Sequence, residues 1–477
     1  MVLKRDLSFF DVTSIVIGSI IGADIYIASS VTAGIVGPLA ILAWIVAGCF
    51  AIVLALVFAY CSYYVPKVGG PFAFVSKAFD KFYGFLTGWS MWIAEMIALP
   101  VFAIAFTQYL NYFVKLDLWQ EVLIKGAFLF GITTINIIGV KAAGKVNDVL
   151  TLLKLSPLVM FIGVGLYLVI LHPDRAIQNF TPFAPLGFDN FGTSLVLIFW
   201  AYVGFEIGTL PASEVKNPRK IIPRAIIVGI LIVLAFYLLT NFVLFSVTNW
   251  KDLSKTTVPL VYASTAMIGM VGAFIVGVGA LISVSGSDES GTLGTARLSY
   301  AMSIHGLFPK LFSKTHPKFK TPYLALIIQG IIAFVLSIYA GITNLISFSV
   351  FNLAFSFLLV CFSLIVLKKE KEHSLHGQKI LPWIGIAICL FLLYSTSTWS
   401  KIIGAGIILA GIPLYVLFSP KTDIHHLKEL FVAEEAIFIR RLERKERFLA
   451  HFVNMCHRLY SRLKKKQANQ NNDSSGD

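Results

Sequence analysis

The sequence contains few charged residues. Asp, Glu, Lys and Arg make up 13% of its 477 residues, about half the share found in soluble globular domains. Apolar residues reach 57%, and the mean hydropathy is +0.80. A water-soluble chain of this length would have to expose much of that apolar surface. The composition therefore excludes an ordinary soluble protein and indicates a chain that uses the lipid bilayer as its solvent.

Groups that hold metals or cofactors are also scarce. The nine histidines are scattered through loops and the C-terminal tail, whereas a membrane enzyme would need clustered His, Asp or Ser side chains. The cysteines show no paired spacing of the kind that marks a metal site or a disulfide framework. They are Cys49, Cys61, Cys361, Cys389 and Cys456. We expect no catalytic site, no metal and no cofactor, and no nucleic-acid partner, because no motif accompanies the net charge of +14.

Long apolar runs fill most of the chain. A helix needs about 20 mainly apolar residues to cross the hydrocarbon core. The runs are continuous rather than alternating, and they are about twice as long as a barrel strand. The sequence therefore predicts an all-α polytopic membrane protein with twelve transmembrane helices, at 10–35, 38–62, 83–111, 121–140, 148–171, 191–211, 223–247, 262–296, 322–340, 343–367, 380–397 and 399–418.

The basic residues are unevenly distributed between the predicted connections. If the N-terminus is cytoplasmic, 33 of the 39 Lys and Arg residues fall in the cytoplasmic connections and the tail, and 6 in the outer connections. Cytoplasmic loops of membrane proteins carry such an excess. We therefore expect multi-pass insertion in the cell membrane with both termini in the cytoplasm. The lipid bilayer is the main expected partner, and the oligomeric state stays open.

Spans 1 and 6 contain similar interruptions. Each has two glycines and an acidic residue near mid-span: Gly18, Gly22 and Asp24 in span 1, and Gly204, Gly208 and Glu206 in span 6. Unwinding a helix in lipid frees backbone groups that must face protein, water or a ligand. Taken alone, a Gly-x-x-x-Gly pair indicates close helix packing. Two matching interruptions, one at the start of each five-span half, instead predict an inverted-repeat transporter with its ligand between half-helices.

Several motifs resemble the amino acid–polyamine–organocation superfamily of permeases. Residues 18–26 (GSIIGADIY) are similar to its first-helix pattern, and residues 66–71 (PKVGGP) to the loop after its second helix. Residues 199–206 (FWAYVGFE), continuing to 214–224 (EVKNPRKIIPR), resemble its sixth-helix signature, and residues 297–302 (RLSYAM) resemble the end of its eighth helix. The resemblance runs from about residue 7 to residue 417.

The resemblance implies the leucine-transporter fold. Spans 1–5 (about 10–171) and 6–10 (about 191–367) would form a 5+5 inverted repeat with discontinuous helices 1 and 6, and two peripheral helices would lie at about 380–418. It also implies a secondary active transporter that moves amino acids by alternating access, coupled to protons or working by exchange. Its small-molecule substrate would contact Ser19, Ile20, Ile21, Gly22, Ala23, Asp24, Trp200, Tyr202, Val203, Gly204 and Glu206.

The same resemblance orients the substrate. Its carboxylate would meet the freed amides at residues 22–24, because the positive end of a half-helix suits an anion. Its amino group would meet the carbonyls of Ile20, Trp200 and Val203, and the rings of Trp200 and Tyr202 would help to close the site.

Several charged residues fall within predicted spans, among them Asp24, Glu95, Lys154, Glu206, Asp288 and Glu289. A charge at mid-bilayer costs about 2.5–3.5 kcal/mol, so these groups should face the interior, pair, or be neutral. The resemblance implies proton coupling by Lys154 and Glu206. We hypothesise that Lys154 pairs with Asp288 or Glu289, which would add both acids to the coupling site. A structural ion pair is the alternative, above all for Glu95.

Asp24 departs from the resembled pattern, which has Gly or another small residue there. An ionised Asp24 would repel a substrate carboxylate placed beside the same amides. Either Asp24 is protonated or paired, or the substrate is a cation without a carboxylate. Polyamine permeases of the superfamily place an acid near this point, so a polyamine or organic-cation permease is the alternative function.

The predicted domains are a cytoplasmic N-terminus (1–9), the transporter domain (10–418), a basic tail (419–466) and an end segment (467–477). The tail spaces apolar residues three and four apart between basic ones. This is the pattern of an amphipathic helix suited to an anionic membrane surface or a partner helix, with a solvated helix as the alternative. The Asn- and Ser-rich end is predicted to be disordered.

Overall fold

The computed structural model describes residues 7–66, 69–139, 143–209, 215–368 and 378–419. Within these ranges the chain is helical, apart from connections and one isolated parallel bridge between Leu7 and Val215. The predicted tail, the end segment and most of the predicted N-terminal segment lie outside the described residues, as do Pro211 and Glu214 of the sixth-helix motif.

Sixteen α-helices are described in these ranges. They are α1 (Phe9–Ile20), α2 (Asp24–Val36), α3 (Ala40–Tyr64), α4 (Gly70–Ala78), α5 (Lys81–Phe113), α6 (Leu118–Ile138), α7 (Ala143–Leu171), α8 (Pro173–Asn179), α9 (Phe191–Trp200), α10 (Pro218–Val247), α11 (Trp250–Leu253), α12 (Pro259–Ile304), α13 (Tyr323–Tyr339), α14 (Ile342–Leu367), α15 (Leu381–Ser395) and α16 (Thr398–Phe418). Short 3₁₀ turns occupy Gly37–Leu39, Phe205–Thr209 and Lys310–Ser313.

Nine helical stretches in the described part are long and apolar enough to cross a membrane. The first of them, Phe9–Tyr64, contains α1, α2 and α3, and the shorter apolar helices are α13 and α15. Every predicted span overlaps at least one of these helices. The protein is therefore an all-helical polytopic membrane protein.

The first span is two helices rather than one. A capping box begins α1, in which the Ser8 amide donates to Asp11 Oδ2 at 2.7 Å and the Asp11 amide donates to Ser8 Oγ at 3.4 Å. The helix ends at Ile20, residues 21–23 are not helical, and α2 begins at Asp24. Gly18 lies one turn before the interruption, and Gly22 lies inside it.

The sixth span is interrupted in the same way. Helix α9 ends at Trp200, residues 201–204 form a turn, and the 3₁₀ turn Phe205–Thr209 follows. Gly204 has φ +123°, a conformation that side-chain-bearing residues rarely adopt. Ser19 Oγ donates to the Gly204 carbonyl at 2.9 Å, so the two interruptions lie against each other at the centre of the fold.

The remaining helices surround this centre. Helix α3 packs on α10, and α5 packs on both α12 and α14. Helix α12 has 46 residues and a kink at Ile268 and Gly269, whose φ and ψ angles are not helical. The kink separates a first short segment from the part that passes the centre. Helices α6 and α16 carry exposed apolar side chains such as Leu123 and Leu417, as expected for surfaces in contact with lipid.

Candidate functional site between the interrupted helices

A small cavity of about 40 Å³ lies between the two interruptions. Helices α5 and α12 close its other sides. Its apolar wall includes Phe102 and Trp200, whose ring centroids are 6.0 Å apart. Its polar wall is formed by Ser19, Asp24, Glu95, Glu206 and Ser287. A mostly apolar concave space with a few convergent polar groups is the usual form of a small-molecule site.

Two glutamates from different helices approach each other in this cavity. Glu206 follows the turn in span 6, and the Gly204 amide donates to its Oε2 at 3.0 Å. Glu95, on α5, lies close enough for its carboxyl group to interact with that of Glu206. The Oε1 atoms of both residues are buried without a hydrogen-bond partner. A buried polar atom without a partner is costly, so this pair is suited to receive a donor from a ligand.

Asp24 lines the same cavity. Its side chain is 5% exposed, and its carboxyl group interacts with the backbone amides of Gly22 and of Asp24 itself. These amides belong to the interruption and to the first turn of α2, where a helix leaves its amides without intrahelical acceptors. Asp24 therefore lies against the same donors that a substrate carboxylate would use.

The carbonyls freed by the interruption in span 1 already have partners. Tyr237 Oη donates to the Ile20 carbonyl at 3.1 Å. The Ile21 carbonyl accepts from Ser287 Oγ at 2.9 Å and from Ser283 Oγ at 3.3 Å. In span 6, the Trp200 carbonyl accepts from the Val203 amide at 3.1 Å. The Ile20 and Trp200 carbonyls thus each have one protein donor already, and a carbonyl oxygen can accept two hydrogen bonds. Their predicted role as acceptors for an amino group stays a prediction.

Lys154 links three helices beside the cavity. Its Nζ donates to the Gly18 carbonyl at 3.0 Å and to Ser287 Oγ at 3.2 Å. The Gly18 carbonyl belongs to the last turn of α1, where carbonyls have no intrahelical donor. Lys154, on α7, thus fastens α1 to α12.

A family comparison identifies the chain. The family model described as "Amino acid permease" matches residues 7–419. The chain belongs to the amino acid permease family. It is thus an amino acid transporter and not an enzyme, and it lies within the amino acid–polyamine–organocation superfamily that its motifs resemble.

Curated relatives match the permease along most of its length. The branched-chain amino acid permease of Bacillus subtilis is 28% identical over 445 residues, which cover 88% of this chain and 94% of the relative. The serine/threonine exchanger of Bacillus subtilis is 28% identical over 435 residues, covering 87% and 96%. The cationic amino acid transporter 4 of Mus musculus is 26% identical over 388 residues, covering 77% and 60%.

A solved structure shares the permease's fold. The manganese transporter of Eremococcus coleocola aligns with a TM-score of 0.60 at 15% identity, covering 87% of this chain and 96% of that one. This similarity concerns the fold alone. Among the residues that the structure describes here, no three His, Cys, Asp or Glu side chains converge as a metal site.

The structure also places two further residues of the predicted site. The Tyr202 side chain points away from the cavity: its ring packs on Trp44 and Tyr237, and its Oη donates to the Trp44 carbonyl at 3.1 Å. The turn at residues 201–204 directs Val203 toward the cavity and Tyr202 toward α3. Gly208 lies within the 3₁₀ turn of the interrupted span, where an added Cβ would be 2.6 Å from Val16 Cγ2, so it also allows close packing.

The predicted pairing of Lys154 with Asp288 or Glu289 concerns groups close to its hydrogen-bond partners. Lys154 donates to Gly18 and Ser287, and its ammonium group also interacts electrostatically with Glu289. Within the described residues both carboxylate oxygens of Asp288 are buried without a hydrogen-bond partner, and Glu289 Oε2 lies 3.5 Å from Ser290 Oγ. The pairing of Lys154 with Glu289 therefore stays a prediction, and Asp288 makes no hydrogen bond to Lys154.

Glu95, Phe102 and Ser287 line the cavity but were not predicted as site residues. A signal for Glu95 was present, since an acidic residue inside a span marks a functional position. Phe102 and Ser287 carry no comparable signal, because aromatic and small hydroxyl residues are common throughout membrane helices.

Proposed function

We propose that this permease is a secondary active transporter that carries its substrate by alternating access through the cavity between the interrupted helices. Twelve spans, arranged as two five-helix inverted repeats and two peripheral helices, would form the domain at 10–418, with both termini in the cytoplasm. The matching interruptions and the excess of basic residues in the predicted cytoplasmic connections support this arrangement.

The cavity supports a zwitterionic substrate. Its carboxylate would bind at the amides of residues 22–24, where α2 begins and the helix dipole favours an anion. Its amino group would bind between Glu95 and Glu206, whose Oε1 atoms lack partners. These two acidic oxygens without a hydrogen-bond partner among the described residues line the same cavity, of about 40 Å³, as the start of α2, and this is the observation that carries the proposal.

Coupling to protons or exchange of substrates would drive the cycle. We assign Lys154 and Glu206 to the coupling machinery because both are buried and both contact the interrupted segments. Asp288 and Glu289 stay candidates for the same role. Asp288 is wholly buried on α12, and a buried ionisable group inside a membrane span is a functional candidate by default.

The acidic character of the cavity favours a second candidate, the transport of polyamines or organic cations. Asp24, Glu95 and Glu206 line the cavity, whereas Lys154 is directed to a carbonyl and a hydroxyl beside it. The named relatives transport branched-chain, hydroxyl-bearing and cationic amino acids, so the family alone leaves the side-chain class open.

Uptake into proteoliposomes tests the proposal. We expect purified protein to accumulate at least one of radiolabelled L-leucine, L-threonine and L-arginine, and Glu95→Gln and Glu206→Gln to raise the KM for that amino acid by about tenfold or more. A hydrogen bond to a charged group contributes about 1.5–3 kcal/mol, and 1.4 kcal/mol is tenfold in affinity. Glu121→Gln is the matched control, since Glu121 lies on α6 outside the cavity and bonds Asn111. Uptake of putrescine alone would favour the second candidate.

A further inference from the structure

Asp24 places a carboxyl group where the substrate carboxylate would bind. It begins α2, it lines the cavity, and its side chain is 95% buried. Its carboxyl group interacts with the amides of Gly22 and of Asp24 itself. The site therefore contains its own carboxyl group, covalently attached to the helix that would hold that of the substrate.

Two carboxylates cannot share these amides in their ionised forms. Charges of the same sign repel strongly in a space that excludes water, and a pair of carboxyl groups at such a distance holds a proton or separates. The cavity leaves little room for separation, because an added Cβ on the adjacent Gly22 would already lie 2.8 Å from Ser287 and 3.1 Å from Phe102.

The ionisable groups around Asp24 do not relieve this repulsion. Glu95 faces it from α5, and Glu206 shares the cavity from the interrupted span 6. Tyr237 faces it from α10. Lys154 is the cation that approaches it, from α7, but its Nζ is engaged by the Gly18 carbonyl and Ser287 Oγ. Among the described residues, the surroundings of Asp24 are thus acidic or neutral apart from the Lys154 ammonium group, which already has two hydrogen-bond partners.

We propose that Asp24 is a proton-carrying gate of the substrate-carboxylate subsite, so that a substrate carboxylate binds at residues 22–24 only when Asp24 holds a proton. In the empty site the ionised Asp24 carboxylate lies at the start of α2 and repels a second carboxylate. On the side with more protons it accepts one proton at a carboxyl oxygen, the repulsion ends, and the substrate carboxylate binds at the amides. Release of the substrate on the other side returns the proton of Asp24 to water.

This inference rests on the proposed function and adds a stoichiometry of protons to substrate. One proton crosses with each substrate carboxylate, and the proton is carried by a residue inside the binding site. It differs from coupling at Lys154, which contacts α1 and α12 but does not compete with the substrate for the amides.

Kinetics in proteoliposomes test the gate. The wild type, Asp24→Asn and Asp24→Gly are compared for uptake of radiolabelled L-leucine, L-threonine and L-arginine between about pH 5.5 and 8, with a pH-sensitive dye trapped inside the vesicles. Because proton binding and substrate binding are linked, the KM of the wild type should rise with pH, by up to about tenfold per unit. Neither variant can carry this proton, so the KM of each should lose this dependence, and each amino acid should enter with one proton fewer than in the wild type.

Two controls keep the outcomes separate. Asp189→Asn makes the same chemical change in an exposed loop and should retain the wild-type pH dependence. The second control reports binding even for a variant that no longer transports: it is the shift in thermal stability of detergent-purified protein when the transported amino acid is added. For Asp24→Asn and Asp24→Gly this shift should be the same at every pH.

Three results would overturn the inference. The first is a wild-type KM for an amino acid that does not change with pH, and the second is an unchanged pH dependence of KM in both Asp24 variants. Each of these leaves the proposed amino acid site intact. The third is uptake of putrescine by the wild type without uptake of any amino acid, which would overturn the proposed function as well and assign Asp24 to a cation site.

Discussion

Gly204 lies against the end of α1, where the two interrupted helices meet, and its replacement by alanine tests that contact directly. A Cβ at this position would lie 2.9 Å from the carbonyl carbon and oxygen of Ser19 and 3.1 Å from the Ile20 amide nitrogen. All three are backbone atoms, so rotation of a side chain cannot relieve the overlap. The backbone at Gly204 also has φ +123°, where an L-residue is strained.

The cost of Gly204→Ala follows from these two effects. A non-glycine residue in a sparsely populated backbone region costs about 1–3 kcal/mol, and overpacking a rigid interior costs about 1–3 kcal/mol more. Their sum, about 2–6 kcal/mol, corresponds to a decrease of at least about 30-fold in the population of this arrangement. We therefore expect Gly204→Ala to lower the thermal stability and to abolish most amino acid uptake.

The control substitution is made at a glycine that has free space around it. Gly163, in the middle of α7, has no heavy atom within 4 Å of an added Cβ, and alanine is the better helix former. Gly163→Ala should therefore match or exceed the wild type in stability and retain uptake. If Gly204→Ala showed wild-type stability and wild-type uptake, the close contact between the two interruptions would be wrong.

Two further substitutions address the supports of the site. Tyr237→Phe removes the hydrogen bond to the Ile20 carbonyl and leaves that buried acceptor unsatisfied, so it should cost about 1–3 kcal/mol in a denaturation measurement on detergent-purified protein. Tyr262→Phe, on an exposed part of α12, should change nothing, and equal stabilities of the two variants would contradict the role of Tyr237. Lys154→Ala removes the link between α1 and α12, and we expect the maximal uptake rate to fall and to lose its dependence on pH. If Lys154→Ala kept the same uptake rate and the same pH dependence between about pH 5 and 8 as a Lys255→Ala control in an exposed loop, Lys154 would be excluded from coupling.

The arrangement of the helices follows from simple features of the sequence. An apolar run of about 20 residues forms a helix in lipid, because a helix satisfies the hydrogen bonds of its own backbone groups. The interruptions at residues 21–23 and 201–204 were also predictable, because glycines and an acid at mid-span are poor material for a continuous helix. The kink of α12 at Gly269 was not predicted, because a single glycine in an apolar run does not distinguish a kink from ordinary packing.

The contacts within the site could not be predicted in the same way. Which carbonyl Tyr237 or Lys154 reaches depends on the rotation of α10 and α7 about their own axes. Because such helices are apolar on several faces, hydrophobic periodicity does not determine this rotation. The direction of Tyr202 is a similar case, since a turn of four residues decides which side chains meet the cavity. Glu95 was visible as an acid within a span, but its meeting with Glu206 required the packing of α5 against the centre.

The bridge between Leu7 and Val215 gives the centre a mechanical property. The Lys216 amide donates to the Leu7 carbonyl at 3.0 Å, just before α1 begins, and Ser19 Oγ donates to the Gly204 carbonyl near the point where α1 ends. Helix α1 is thus bonded to Lys216 at its start and to Gly204 near its end, and Gly204 directly precedes the 3₁₀ turn Phe205–Thr209. A tilt of α1 would therefore also displace the segment that carries Glu206.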